Sequence, residues 1–422
     1  MKEYFRKIPP ELKGLISMAG GIADAYRMPA YLVGGFVRDL IMGASNLDSD
    51  IVVEGNGIEF AEVLAVKLGA RLVRHRRFGT ATVVISPYLK IDISTARRES
   101  YPAPASLPVV EPGNMMDDLA RRDFTINAMA IGINKDNFGK LLDPFGGRRD
   151  IRKKNIRILH DLSFIDDPTR MLRAIRFQKR YNFKNEPHTL RLLKEASRLK
   201  ALDKVHPHRV RDELILILKE AEPLKALMAI QKLIGLEFIA TGLRLSRKSQ
   251  LLLRAVKREV YWFKRTYPRR RRLDSWLIYF MAMLESLDAP AVKKIAKKFA
   301  LSRGETKRLL TAKNIKPVAR QLSMLNIRPS RVYHLLEPLS YEVIIMLRVK
   351  YRNKKLLRYI EVFFTTYNGM RIRISGDDLK SLGLKPGPRY QKIFRKILDA
   401  RLNGSVKSRE EEIALVRRLA GL

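Results

Sequence analysis

The sequence predicts an α+β chain, with a mixed-sheet domain of roughly 145 residues at the front and an all-helical remainder. Three observations carry this. Strand and helix patterns alternate up to about residue 150 and then the strands stop. Turn signals punctuate the front at short intervals. The charge divides at the same place, since residues 1–150 hold 20 basic and 18 acidic residues and the rest hold 63 and 25.

The front opens with "ELKGLISMAGGIADAY", whose apolar residues recur at helical spacing. "AYLVGG" is a short apolar strand closed by Gly34 and Gly35, and "DSDIVVEG" is a second strand. "GIEFAEVLAVKLGA" returns to a three-and-four spacing, a helix. "ATVVIS" and "YLKIDIST" form a strand pair around a turn at Ser86 and Pro87. Pro102, Pro104, Pro108 and Pro112 make 99–119 an extended loop. "RRDFTINAMAIGI" restores regular structure and "LLDPFGG" ends in a turn. From there "DPTRMLRAIRFQKRYNF", "TLRLLKEASRLKAL" and "HRVRDELILILKE" read as helices, as do most segments to the end.

The chain has 422 residues and no cysteine, which excludes disulfides and thiolate metal sites. No run of about 18 apolar residues occurs, so no membrane-spanning helix is expected. The start "MKEYFRKIPPELKGL" lacks the apolar stretch of a secretory leader, so a cytoplasmic protein is expected. The rear carries a net +38 of the total +40. Such a polycation either presents a solvated basic surface or gathers phosphates by releasing their counterions, which points to nucleic acid.

Acids stand at unusual places in the front. On an extended segment alternate side chains share a face, so Asp48 and Asp50 point together, opposite Ser49 and Ile51. Two carboxylates so close repel unless a cation lies between them, and oxygen-only ligands suit magnesium; a solvated turn is the alternative. Asp92 interrupts the apolar strand "LKIDIST". It is either a third metal-facing carboxylate, a charge on an edge strand, or a partner of Arg97 or Arg98. Such a cradle lowers the pKa of an attacking hydroxyl and stabilises in-line displacement at phosphorus.

"LVGGFVRDL" is neither GxxxxGK[ST] nor GxGxxG. Gly34 and Gly35 still permit close backbone approach to a ligand, and Arg38 one turn on can reach a phosphate or pair with Asp39. In "SFIDDPTRMLRAIRF", Asp167 is expected as N-cap and Pro168 as the first helical residue. Arg170, Arg173 and Arg176 then form a slanting stripe, which needs either an anion or an acid row facing it. Asp167 as acceptor and Arg170 as donor match the edge of C or A. In "DLARRDFTINAMAI", Arg122 can hold phosphates, and Asp123 can anchor a ribose or a local turn. Tyr261, Trp262 and Tyr267 beside "PRRRR" either stack on RNA or pack in the core.

Together and in this order, "LVGGFVRDL…LDSDIVV", "RRDFTINAMAI", "DPFGGRRDI" and "DDPTRMLRAIRF" closely resemble the class II tRNA nucleotidyltransferases and the bacterial poly(A) polymerases that share their head. "ISGDDLKSLGLKPGPRYQKI" resembles the tail of that family, and "RRFGTATVVI" its tRNA-acting branch. The resemblance implies a nucleotidyltransferase head (1–147), a helical neck that recognises the base (148–215), an RNA-binding body (216–340) and a tRNA-binding tail (341–422). It implies addition of C, A or both from CTP and ATP to the tRNA 3′ end, as whole CCA, CC only or A only, with the acceptor and TΨC arms held by the helical rear; poly(A) synthesis and RNA binding without catalysis are the alternatives. It implies that Asp48 and Asp50 hold catalytic metal, which the oxygen-only ligands make Mg2+, and the strand reading adds Asp92 as a helper. Gly35, Arg38 and Arg122 are then expected on the nucleotide, Asp167 and Arg170 on its base, and Arg173 and Arg176 in the same pocket. One departure stands out: Asp166 occupies a position where the family pattern has Glu.

Overall fold

The computed structural model describes residues 8–44, 49–76 and 79–421. Asp48 therefore lies outside the described residues, as do Arg77 and Phe78 of the "RRFGTATVVI" stretch. The chain forms two compact units, 1–238 and 239–422.

The first unit is built on a seven-stranded mixed sheet. Its strands are β1 (Ala30–Val33), β2 (Ser49–Val53), β3 (Arg71–His75), β4 (Thr80–Ser86), β5 (Leu89–Thr95), β8 (Ala130–Gly132) and β9 (Leu141–Leu142). They run in the order β3-β4-β5-β2-β1-β8-β9. Only β2 and β5 pair in parallel, and every other neighbouring pair is antiparallel. The helices of the front are α1 (Pro10–Ala25), α2 (Gly35–Met42), α3 (Gly57–Leu68), α4 (Met115–Ala120) and α5 (Gly147–Lys153).

Strand alternation splits the apolar residues between two faces. Leu32, Ile51, Val53, Ile91 and Ile93 are buried together, and α3 lies against β2, β4 and β5. α3 buries Phe60, Ala61, Leu64 and Ala65, one side of a helix capped by Asn56 and stopped by left-handed Gly69. The opposite sheet face buries Val33, Val52 and Ala130 against Met115 and Leu119 of α4. That second face also carries Asp50, two residues before Val52.

The proline-rich stretch is more ordered than an extended loop. β6 (Arg97–Ser100) and β7 (Val109–Pro112) pair as an antiparallel ribbon, and α4 follows, closed by an Asn114–Asp117 capping box. Pro112 sits at the ribbon's end, where a missing N–H costs little. β3 also adds an edge strand beyond the expected hairpin. Past residue 150 the strands do not stop entirely, since Asn155–Ile156 and Lys184–Asn185 form a short parallel pair, β10 and β11.

The rest of this unit is helical: α6 (Ser163–Asp166), α7 (Thr169–Tyr181), α8 (Pro187–Arg198), α9 (Pro207–Lys219) and α10 (Pro223–Leu233). α9 and α10 both pack on α7, which buries Met171, Leu172, Ala174 and Ile175. This packing keeps residues up to 238 with the first unit, so the division falls within the segment expected as body.

The second unit is all helical among the described residues. Two helices apolar nearly all round, Ser275–Met283 and Tyr341–Lys350, form its centre. Ile374, Leu379, Ile393, Ile397 and Val416 make a separate core near the C-terminus. Trp262 and Tyr267 pack rather than project. The Arg348 guanidinium lies 3.6 Å from the Trp262 ring centre, and Tyr267 joins Phe263 and Phe364. Tyr261 is exposed. Within "PRRRR", Arg270 donates to the Phe364 and Asn368 carbonyls and Arg271 pairs with Glu342, so part of that run is structural.

Candidate active site

A cavity of about 620 Å³ opens in the first unit, a size suited to a nucleotide. It gathers residues far apart in sequence: Gly35, Arg38 and Asp50 from the sheet end, Arg122 and Asp123 after α4, and Asp167, Arg170 and Arg173 at α7.

The Gly34–Gly35 turn is built for close approach. Gly34 has φ +62°, and a Cβ there would lie 2.5 Å from Arg122 Nη1. Arg38, on the first turn of α2, is buried. It donates to both Asp39 oxygens at 2.8 and 2.9 Å and to Asn127 Oδ1 at 2.6 Å. Its guanidinium also lies over the Tyr181 ring, 4.9 Å from the centre.

Asp50 and Asp92 are direct partners across β2 and β5, so their side chains share a face about 5 Å apart. The expectation of acids on neighbouring strands is met in this geometry. Asp92, however, does not line the cavity. Its oxygens accept from Thr82 Oγ1 at 2.6 Å and Lys90 Nζ at 3.0 Å, rather than pairing with Arg97 or Arg98. Asp50 alone of the pair lines the cavity. An all-oxygen donor set of Asp50 and its sequence neighbour Asp48 suits a hard divalent cation. The Lys90 contact argues against Asp92 as a direct ligand. Among the described residues no group of three or more His, Cys, Asp or Glu side chains is placed to hold a metal ion.

The arginine stripe of α7 meets an acid row. Arg173 donates to Asp123 Oδ2 at 2.6 and 2.8 Å and to Glu213 Oε1 at 3.0 Å. Burial opposes the charge on Arg173, but the two carboxylates outweigh it and raise its pKa. Burial raises and Arg173 lowers the Asp123 pKa, with a net lowering. Asp123 also accepts from the Phe124 N–H and Asn127 Nδ2, so it anchors a local turn. Arg176 points elsewhere: it contacts Glu213 and Glu220 and lines a second cavity with Lys179 and Lys219. Its expected place in the nucleotide pocket is not met, because one further helical turn carries it past the cavity.

Arg170 differs from its neighbours. It is buried, and it donates to Ser163 Oγ at 2.7 Å, the Arg121 carbonyl at 2.9 Å and the Tyr101 hydroxyl at 3.4 Å. These are uncharged acceptors, so its positive charge is not consumed by a hydrogen-bonded acid. The helix begins at Thr169 with Pro168 as its N-cap, one residue later than expected, and Asp167 stands just before it, its Oδ1 accepting from the Thr169 N–H and hydroxyl. Asp166, at the position of the family's Glu, lies 3.8 Å from His160 Nδ1.

Sequence reasoning missed several residues. Tyr101, Glu99, Arg209 and Glu213 also line the cavity, beside Arg121 and Asn127 of the "DLARRDFTINAMAI" stretch. Asp118 stands just outside it, fully buried, with its oxygens on Arg121 and Arg122. Six arginines and six acids line the cavity in all, so most guanidiniums arrive already neutralised.

A model of the poly A polymerase head domain matches residues 30–157. An A-adding tRNA nucleotidyltransferase of Geobacter sulfurreducens is 39% identical over 421 residues, covering 98% of this chain and 48% of the relative. The chain thus spans about half the length of that relative. It covers 91% of an A-adding enzyme of Halalkalibacterium halodurans, 31% identical over 96% of this chain. Among solved structures, an apo CCA-adding enzyme aligns at TM-score 0.77 and 34% identity, over 100% of this chain and 98% of that one. A Thermotoga maritima CCA-adding enzyme complexed with tRNA aligns at 0.71 and 33%, again over 100% and 98%. The chain belongs to the class II tRNA nucleotidyltransferase family of A-adding and CCA-adding enzymes.

Proposed function

We propose that this protein is a template-independent nucleotidyltransferase that adds C, A or both from CTP and ATP to the 3′ end of tRNA, releasing pyrophosphate. The observation that carries it is one cavity shared by Asp50, the Gly35–Arg38 turn, Arg122, and the Asp167–Arg170 pair. Acid, phosphate-binding and base-reading chemistry thus converge on a space of nucleotide size. The helical rear supplies the cationic surface for tRNA phosphates, with the acceptor and TΨC arms as the shape it reads. We keep the four-part assignment of head 1–147, neck 148–215, body 216–340 and tail 341–422. A cytoplasmic location fits a tRNA substrate.

The family generally uses divalent metal ions. Magnesium held by Asp48 and Asp50 would neutralise the triphosphate and acidify the attacking hydroxyl. The chain's own residues do the rest. Gly35 admits the phosphates, and Arg38 and Arg122 bind their oxygens. Asp167 accepts the exocyclic amine of C or A while Arg170 donates to the ring nitrogen, a pairing that G and U cannot match. Arg173 and, at one remove, Arg176 stiffen this wall through Asp123 and Glu213. Asp92 shapes the field beside Asp50. The RNA 3′ hydroxyl then attacks the α-phosphate and pyrophosphate leaves.

Addition of A alone is the narrower reading, favoured by the A-adding relatives that match along nearly the whole chain. The test offers tRNA ending in the discriminator base, C or CC with each labelled nucleotide separately. Label from ATP on the CC end alone marks an A-adding enzyme, and stepwise products from CTP and ATP mark CCA addition. A long homopolymer points to poly(A) synthesis, and no product with any nucleotide overturns the proposal in favour of RNA binding alone.

A further inference from the structure

Asp118 is 0% exposed, on the short helix α4, and takes no direct part in the cavity lining. Its two oxygens are divided between consecutive arginines. Oδ1 accepts from Arg121 Nε and Nη2 at 3.0 and 2.6 Å, and Oδ2 accepts from Arg122 Nε and Nη2 at 3.2 and 2.8 Å. Each arginine thus spends one edge on the carboxylate and keeps the other for something else. Arg121 Nη1 reaches Glu99 at 3.0 Å, and its backbone carbonyl takes Arg170. Arg122 Nη1 stands over Gly34, in the one place where a side chain on that residue would collide with it.

We infer that Asp118 is a positioning residue, a fork that aims Arg122 at the phosphates of the nucleotide and, through the Arg121 carbonyl, fixes Arg170 at its base. This deepens the proposed function and rests on its reading that Arg122 binds phosphate. The physical reason is the choice of a charged group where a neutral one would fold at less cost. Burying a carboxylate is unfavourable unless it is fully paired. Here Asp118 and Glu99 together face three guanidiniums, Arg97, Arg121 and Arg122, which leaves an excess positive charge, with Arg122 next to the glycine turn. Long, flexible arginine side chains lose binding power when they must be ordered by the ligand. A buried carboxylate that orders both beforehand removes that cost. Burial raises the Asp118 pKa, and the two guanidiniums outweigh it for a net lowering, so the fork is ionised when the protein is folded.

The test is calorimetric titration of the full chain with CTP, ATP and inorganic pyrophosphate, comparing Asp118→Asn, Arg122→Ala and the double variant. Asp118→Asn should weaken all three ligands by roughly tenfold to a hundredfold, the range for losing a charged hydrogen-bond partner. For pyrophosphate, which has no base, the double variant should bind no worse than Arg122→Ala beyond about twofold, because the fork reaches the phosphates through that side chain. Asp118→Glu, which keeps the charge, should recover part of the loss, and it replaces Asp118→Asn in the cycle if the latter does not fold. Additive losses of pyrophosphate affinity in the double variant, or unchanged pyrophosphate binding in Asp118→Asn, overturn the positioning role while leaving the proposed function intact. Unchanged pyrophosphate binding in Arg122→Ala overturns both.

Discussion

Arg209, on α9, forms an ion pair with Asp167, its Nη2 2.9 Å from Oδ2, while Oδ1 is held by Thr169. The acid assigned to reading the base amine is therefore clamped on both oxygens. Such a clamp fixes the carboxylate plane, so an amine must meet it along a remaining lone pair. Freed of Arg209, Asp167 can rotate and accept from a wider set of edges. Arg209→Gln should lower the preference for CTP and ATP over UTP and GTP by about tenfold, the worth of one well-oriented polar contact. Competition between labelled nucleotides on one tRNA measures it, and an unchanged ratio would show that Arg209 does not orient the reader.

Of the two carboxylates paired across β2 and β5, Asp50 lines the cavity, whereas Asp92 is held by Thr82 and Lys90 outside it. Asp50→Asn should reduce incorporation by at least about a hundredfold, as loss of a group that stabilises transition-state charge does. RNA affinity, which we assign to the basic helical rear, should stay within a few-fold. By contrast Asp92→Asn should cost less than Asp50→Asn. Equal losses in the two variants would restore Asp92 as a direct ligand.

Gly34 is required twice over, by its φ of +62° and by the 2.5 Å that would separate an added Cβ from Arg122 Nη1. Gly34→Ala should destabilise the fold by about 1–3 kcal/mol, the cost of such a backbone conformation for a side-chain-bearing residue. It should also displace Arg122 and raise the KM for the nucleotide. Thermal melting and steady-state kinetics read the two effects separately. A variant with lower stability and an unaltered KM would mean that Arg122 does not contact the substrate.

Much of this site was legible because it lies in local patterns. The alternation in "DSDIVVEG" and "LKIDIST" put Asp50 and Asp92 opposite the buried isoleucines of their strands, and the register of β2 on β5 then set Asp50 against Asp92. The stretch before "PTRMLRAIRF" marked a helix start, and α7 begins within one residue of it. What escaped depends on partners distant in the chain. The arginine stripe required an anion or an acid row, and the sequence left both open. The answer comes from Asp123 and from Glu213, which is 40 residues from Arg173 and arrives only when α9 packs on α7. Asp118 escaped for the opposite reason: it sits three and four residues before its arginines, at ordinary helix spacing, and only its burial distinguishes it from a surface pair. The β6–β7 ribbon was hidden by prolines that flank its strands or sit at their end.

The helical rear depends on a buried acid of its own. Glu342 is 0% exposed and accepts from Arg271 at 2.9 and 3.0 Å and from the Asp274 N–H at 3.0 Å, with Arg308 Nη1 3.3 Å away. Burial alone would raise its pKa, but the Arg271 hydrogen bonds and the backbone donors hold it down to about 2, from 4.5. A carboxylate whose folded pKa is depressed stabilises the fold above its unfolded pKa and loses that contribution as pH falls through the folded value. Stability should therefore decline between about pH 4.5 and pH 2, where the unfolded chain takes up a proton that the folded one refuses. Glu342→Gln should cost about 3 kcal/mol near neutral pH, because it leaves two arginines facing a neutral amide. The difference between Glu342→Gln and the parent should shrink as the pH is lowered through this window, since protonation makes the parent resemble the variant. Denaturant unfolding at several pH values measures it, and a difference that stays constant from pH 6 to pH 2.5 would show that the Glu342 charge is not what holds these helices.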